Sequence, residues 1–142
     1  MSEPQIVIDT NVLVSALRSR QGASFRLISL VGIGKFEINL SVPLVLEYEA
    51  VAKRQLTSTS LTSSDIDDFV DYLCHVGRRR RIFFLWRPFL PDLKDDMVLE
   101  LAVEANCQFI VTFNQKHFLG TDAFGIQALT PQAFLKLIGE VS

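Results

Sequence analysis

Cysteine, net charge and long apolar runs are all in short supply in this sequence, and each shortage excludes a class of protein. The two cysteines, Cys74 and Cys107, have neither disulfide nor metal-ligand spacing, which is typical of buried thiols in a reducing compartment. No apolar run approaches the roughly 20 residues that a membrane span needs. The first residues lack the basic flank and cleavage site of a signal peptide, so we expect a cytoplasmic protein with no membrane attachment.

What the sequence has is apolar bulk: 49% of its 142 residues are hydrophobic, and eleven are phenylalanine. A chain of this length suits one packed domain that buries roughly two-thirds of its unfolded surface. We find no internal repeat and no domain boundary, and therefore expect a single domain over residues 1–142. The net charge of −2 does not by itself indicate nucleic-acid binding.

Short apolar runs alternate with stretches of helical periodicity along the whole chain. This alternation predicts an α/β fold, a three-layer α/β/α sandwich around a parallel sheet of four to five strands. The predicted strands are residues 6–8, 36–40, 82–86, 107–113 and 125–129, and the predicted helices are residues 10–17, 23–31, 44–54, 65–77, 97–106 and 131–138.

The first strand ends at an acid, Asp9, which leads directly into a helix. The carboxyl edge of a parallel sheet is where open α/β folds bind ligands, so Asp9 has the position of a site residue. It also has the position of a helix cap, and the residue alone does not separate the two interpretations.

Two further acids interrupt apolar patterns. Glu47 lies within the apolar stripe of its helix, whereas Glu49 is about 200° away around the helix and should face solvent. Asp96 lies in a first helical turn beside Asp92 and Asp95, where a cap would need one acid and the chain has three. A buried carboxylate without a partner is costly, so Glu47 and Asp96 need an explanation.

Asp9, Glu47 and Asp96 could meet at one edge of the sheet. Two like charges at 4 Å cost about 4 kcal/mol at an effective dielectric of 20, so a hard divalent cation would be needed to neutralise them. Oxygen ligands without histidine or cysteine favour Mg²⁺ or Mn²⁺. Such a metal site supports phosphoryl transfer or phosphodiester hydrolysis.

Four adjacent arginines, Arg78, Arg79, Arg80 and Arg81, form the one strongly basic cluster. With aromatic residues nearby, they suit contacts to RNA phosphates and bases. A solvated loop is the equally acceptable alternative.

Four segments, taken in order, resemble the motifs of PIN-domain ribonucleases. They are DTNVLVSAL (9–17), LVLEY (44–48), DLKDDMVLELA (92–102) and IVTFNQKHF (110–118). The segment LTPQAFL (129–135) resembles the end of a bacterial branch of toxins in this family. The resemblance covers nearly the whole chain.

The resemblance implies a Mg²⁺- or Mn²⁺-dependent endoribonuclease, often the VapC-type toxin of a toxin–antitoxin pair. It further implies an RNA substrate, an antitoxin protein as partner and a homo-oligomer, either dimer or tetramer. By carry-over, Asp9, Glu47 and Asp96 bind metal and orient the attacking water. The supporting residues would be Thr10, Asn11, Asp95 and Thr112.

One departure from the family concerns Asn114, where many members have an aspartate. An amide oxygen can still ligate a metal, but it brings no charge, so we expect one firmly held ion and a second only with RNA present. Asp95 could supply the missing charge, although as the neighbour of Asp96 it should point elsewhere.

Two alternatives remain at this point. The chain could be a catalytically weakened PIN module that acts in RNA or protein binding, which Asn114 favours. It could also be a phosphoryl-transfer enzyme or an aspartyl-phosphate receiver with Asp9 as nucleophile. Against this second alternative, there is no phosphate-binding glycine-rich loop, and position 11 holds an asparagine where a second aspartate would be needed.

Overall fold

A sheet of five parallel strands forms the centre of the computed structural model, which describes residues 3–81 and 89–141. The spatial order of these strands is β3-β2-β1-β4-β5, and every pairing is parallel. The strands are β1 (Gln5–Ile8), β2 (Glu37–Leu40), β3 (Arg78–Arg79), β4 (Phe109–Val111) and β5 (Gln127–Leu129).

Helices connect and flank the strands, as parallel pairing requires. Within the described residues the α-helices are α1 (Thr10–Arg18), α2 (Ala23–Ser29), α3 (Val42–Arg54), α4 (Ser63–Val76), α5 (Leu93–Glu104) and α6 (Pro131–Leu137). Short 3-10 helices occur at Leu56–Ser58, Gln115–Phe118 and Thr121–Phe124. The predicted α/β fold with a central parallel sheet is confirmed.

The core is densest where β1 lies between β2 and β4. Ile6, Val7 and Ile8 are all buried, as are Ile110 and Val111 on β4. Continuous apolar runs of this kind occur because helices cover both faces of a parallel sheet. The carboxyl ends of β1 and β4 are consequently held side by side in rigid surroundings.

Several boundaries differ from those predicted, and one difference affects the site. Helix α5 begins at Leu93 and not at Met97, because the side chain of Asp92 caps it by accepting a hydrogen bond from the Lys94 amide (2.8 Å). Asp95 and Asp96 are therefore both helical and point in different directions. The helical period separates neighbouring side chains by about 100°.

The arginine run begins a strand and not a loop. Arg78 and Arg79 form β3, the edge strand that pairs with β2. The loop conformation of the alternative is therefore wrong for these two residues, although both are exposed to solvent; whether the run contacts RNA stays a prediction. The strand predicted at residues 82–86 lies outside the described residues.

Neither cysteine is in a disulfide: Cys107 is buried and Cys74 is half-buried. Burial raises the pKa of the Cys107 thiol to about 12, which makes this thiol unreactive at neutral pH. No helix in the described part of the chain is long and apolar enough to cross a membrane.

Candidate active site

Asp9 and Thr112 meet at the carboxyl edge of the sheet, where β1 and β4 end beside each other. The Asp9 amide donates to the Val111 carbonyl (2.9 Å), which continues the pairing of the two strands by one residue. The Thr112 hydroxyl donates to Asp9 Oδ2 (2.7 Å). Asp9 is 8% exposed and Thr112 is fully buried, so the carboxylate is held in one orientation.

Asp9 caps a helix and also lies in the cleft at this edge of the sheet. Its Oδ1 accepts a hydrogen bond from the Thr10 amide (2.9 Å) at the start of α1. Burial raises the pKa of Asp9, the bonds from Thr112 and Thr10 oppose this rise, and the charge of Glu47 adds to it. The two interpretations of the sequence are therefore compatible.

Glu47 reaches the same edge because its neighbour Tyr48 anchors α3 to the end of β1. The fully buried phenol of Tyr48 donates to the Ile8 carbonyl, one residue before Asp9. The Thr10 hydroxyl then donates to Glu47 Oε2 (2.6 Å). Burial, followed by the charges of Asp9 and Glu47, raises the pKa of Tyr48 well above its ordinary value.

The predicted difference between the two glutamates of α3 agrees with the geometry. The Glu47 side chain is 16% exposed and faces Asp9 across Thr10. The Glu49 side chain is 41% exposed and pairs with Lys53 (3.1 Å) on the outer side of the helix.

Asp96 is turned away from this edge. Its Oδ1 accepts hydrogen bonds from the amides of Phe89 (3.1 Å) and Leu90 (2.8 Å). Its Oδ2 is buried and has no hydrogen-bond partner among the described residues. At 6% exposure, Asp96 does not line the cleft that contains Asp9.

Asp95 takes the place expected of Asp96. It lines the cleft, and its Oδ2 lies 3.4 Å from His117 Nδ1. Burial raises the pKa of Asp95, and the charges of Asp9 and Asp92 raise it further. The expectation that Asp95 points elsewhere is wrong, because the early start of α5 directs it toward Asp9.

The two asparagines lie beside Thr112. Asn11 Oδ1 accepts from the Phe113 amide (3.3 Å), and Asn11 Nδ2 donates a long bond to Thr112 Oγ1 (3.5 Å). Asn114 is exposed in the cleft, and its backbone N–H donates to Thr112 Oγ1 (3.0 Å). The residues predicted to support the site, Thr10, Asn11 and Thr112, thus form one hydrogen-bond network around Asp9.

A cleft of about 730 Å³ opens at this edge of the sheet. Sequence reasoning missed its basic groups, although a signal for two of them was present. Arg18 follows Asn11 by seven residues and Arg54 follows Glu47 by seven, a spacing that returns to the same helix face. The oxygen-bearing lining residues discussed above are Asp9, Thr10, Asn11, Glu47, Asp92, Asp95 and Asn114; the basic ones are Arg18, Arg54, Lys94 and His117.

The donor chemistry fits a hard divalent cation, although the acids are spread apart. Among the described residues, no three histidine, cysteine, aspartate or glutamate side chains are grouped closely enough to hold a metal ion. Lys94 Nζ lies 3.7 Å from Glu47 Oε1, and His117 lies beside Asp95. Even so, the charge of Asp9 helps to raise the pKa of Asp95, a cost of ionisation that a divalent ion would relieve.

The arginine run lies apart from the cleft. Arg78 pairs with Glu37 (Nη2 to Oε1, 3.3 Å), and Arg80 Nε donates to Asn39 Oδ1 (3.0 Å). Both partners belong to β2, so these two arginines fasten the edge strand. In the described part of the chain, none of the four arginines lines the cleft.

Comparison with known proteins points to one family. A family model described as a PIN domain matches residues 5–116, most of the chain, and this span includes Asp9, Glu47, Asp95 and Asn114. None of the curated proteins compared with the chain matches it.

Proposed function

Because the chain belongs to the PIN-domain family, whose members are generally nucleases and typically use divalent metal ions, we propose that it is a Mg²⁺- or Mn²⁺-dependent endoribonuclease. One observation carries the proposal: oxygen-bearing side chains from two strand ends and three helices line a single cleft at the carboxyl edge of the sheet. This edge is the usual ligand site of open α/β sheets.

In this proposal Asp9, Glu47 and Asp95 bind the metal, and Asn114 contributes an uncharged oxygen. A bound divalent ion would supply an activated water and stabilise the leaving oxygen of the phosphodiester. Thr112 and the Thr10 amide fix both oxygens of Asp9, and the Thr10 hydroxyl orients Glu47.

Asp95 replaces Asp96 as the third acid of the proposed site. The backbone contacts of Asp96 hold the segment at Phe89 and Leu90, which gives it a positioning role. The assignment of Asp96 as metal ligand, which follows from the sequence motif, stays open because its Oδ2 lacks a hydrogen-bond partner among the described residues.

The wider biological role is a further part of the proposal. It comprises a toxin of a toxin–antitoxin pair, a cytoplasmic location, a homo-oligomer and one PIN-like domain over residues 1–142. Support for a protein partner comes from α3, where Val42 is 73% and Leu46 60% exposed, one helical turn apart. Exposed apolar pairs of this kind are typical of interaction surfaces when they form part of a larger patch.

The direct test is cleavage of single-stranded RNA by the purified chain while Mn²⁺ and Mg²⁺ are titrated. We expect metal-dependent cleavage that EDTA stops and that Asp9→Asn abolishes. Thermal unfolding of the variant serves as the control for folding. RNA binding without cleavage at any metal concentration would instead favour the catalytically weakened module, which the neutral Asn114 supports.

A further inference from the structure

A second cavity, of about 340 Å³, adjoins the acidic cleft. Asp92, Asp95 and His117 line both spaces, so the two are adjacent. The remaining wall includes Phe89, Leu119 and Lys116. A ligand that crosses the cleft at Asp95 would therefore meet this second cavity next.

Apolar side chains are unusually exposed around this cavity. Phe89 is 46% and Leu119 is 75% exposed. The Phe89 ring packs edge-to-face against Phe124, with the ring centroids 5.2 Å apart. Nearly half of Phe89 is nevertheless exposed, and an exposed aromatic ring offers a surface on which a base can stack.

The structure fixes Phe89 from two sides. Asp96, itself buried, accepts the amide hydrogens of Phe89 and Leu90, which holds the backbone. On the ring side, Gly120 has φ +91°, and a Cβ at this position would lie 3.2 Å from the ring Cζ. The backbone conformation therefore favours glycine there, and a larger residue would also crowd the ring.

We propose that this cavity is a nucleobase-binding subsite, which takes one unpaired base of a single-stranded RNA beside the cleft. Stacking on Phe89 supplies the contact, since bases of single strands bind to aromatic rings in this way. Asp92 and Asp95 line the cavity beside Lys116 and His117, and the carboxylate oxygens can accept hydrogen bonds from the amino group of a base. The inference rests on the proposed function for the identity of the ligand.

The test is binding of fluorescein-labelled RNA octamers to the full chain in EDTA, measured by fluorescence anisotropy. One octamer has all its bases, and a set of others has one abasic nucleotide at successive positions. The variants are Phe89→Ala, Phe89→Leu and Phe89→Trp. Phe25→Ala serves as the matched control, because Phe25 is also partly exposed (37%) and lies on α2.

We expect Phe89→Ala and Phe89→Leu to weaken binding of the complete octamer about tenfold, whereas Phe89→Trp and Phe25→Ala leave it nearly unchanged. One abasic position should weaken wild-type binding by a similar factor, with no further loss when it is combined with Phe89→Ala. Thermal unfolding of each variant separates a folding defect from a lost contact.

The inference would be overturned if wild type and Phe89→Ala bound the complete octamer equally. It would also be overturned if Phe89→Ala weakened binding of every abasic octamer as much as binding of the complete one. The same holds if the wild type binds no octamer. Failure of the proposed function has a different signature, namely no cleavage with any metal while Phe89-dependent binding remains. Cleavage without any dependence on Phe89 would leave the function standing and remove the subsite.

Discussion

Two carboxylates at opposite ends of the same sheet, Asp9 and Glu37, have opposite electrostatic surroundings. Asp9 follows β1 at the carboxyl edge, where burial and a neighbouring acid raise its pKa. Glu37 begins β2 at the amino end, where hydrogen bonds from Arg78 and Gln5 lower its pKa. A carboxylate with opposite charge beside it strengthens the fold. One surrounded by other acids is costly unless a ligand neutralises it, and such groups concentrate at functional sites.

Among the paired variants that follow, the largest effect should come from Glu47→Gln at the acidic end. This change keeps the side-chain shape but removes a charge that the metal needs, so RNA cleavage should fall at least about a hundredfold. Cleavage rate and Mn²⁺ affinity by calorimetry are the measurements. Glu49→Gln, on the outer side of α3, should leave both near wild type; equal losses in the two variants would contradict the assignment of Glu47.

The second effect in size separates Asp95 from Asp96. Asp95→Asn should lower Mn²⁺ affinity and cleavage by roughly tenfold or more, because its carboxylate faces Asp9 in the cleft. Asp96→Asn keeps an oxygen to accept the Phe89 and Leu90 amides and should change metal affinity much less. If Asp96→Asn had the larger effect on calorimetric metal binding, the motif-based assignment would be correct.

Asn114→Asp should raise metal affinity and cleavage, whereas the preceding variants lower them. A fourth carboxylate among the proposed metal ligands should tighten Mn²⁺ binding several-fold and increase cleavage at limiting metal. The measurement is calorimetric titration of the wild type and the variant with Mn²⁺. Gln115→Glu serves as the control for added charge alone. Metal binding that is unchanged or weaker in Asn114→Asp would place Asn114 outside the metal shell.

A smaller effect should distinguish the cleft arginines from the arginine run. Replacing Arg18 and Arg54 by glutamine should weaken RNA binding and flatten its salt dependence, by roughly one unit of log–log slope per lost phosphate contact. Arg79 and Arg81, both exposed, are the matched pair from the run. If only the second pair changed the slope, RNA would follow the β3 edge and not the cleft.

The smallest effect belongs to the amino end of the sheet. Glu37→Gln should lower stability by no more than about 1 kcal/mol, because its pairing with Arg78 is partly exposed. Since the folded-state pKa of Glu37 is lowered, its contribution is present above the unfolded-state pKa and disappears as the pH falls through the folded-state value. Urea unfolding at neutral and acidic pH measures this, and cleavage should be unaffected.

Local signals in the sequence predicted the fold class and part of the candidate site. The apolar run at Ile6–Ile8 predicts a doubly covered strand, and helical phase alone separates Glu47 from Glu49. Asn11 with Arg18, and Glu47 with Arg54, carry the same periodic signal. Such patterns can be read from the sequence because the strand and helix periods are properties of the local backbone.

Only the tertiary structure shows that Asp95 and Asp96 have different surroundings. Both residues belong to one acidic run, and the directions of their side chains depend on where α5 begins. They also depend on the hydrogen bonds that Asp96 accepts from backbone amides six and seven residues before it. The meeting of Thr112 with Asp9, and of Lys94 with Glu47, likewise depends on strand order and helix packing. The first pair is 103 positions apart in the sequence and the second is 47 positions apart. Contacts over such separations leave no periodic pattern in the sequence, because packing and not the local backbone brings the residues together.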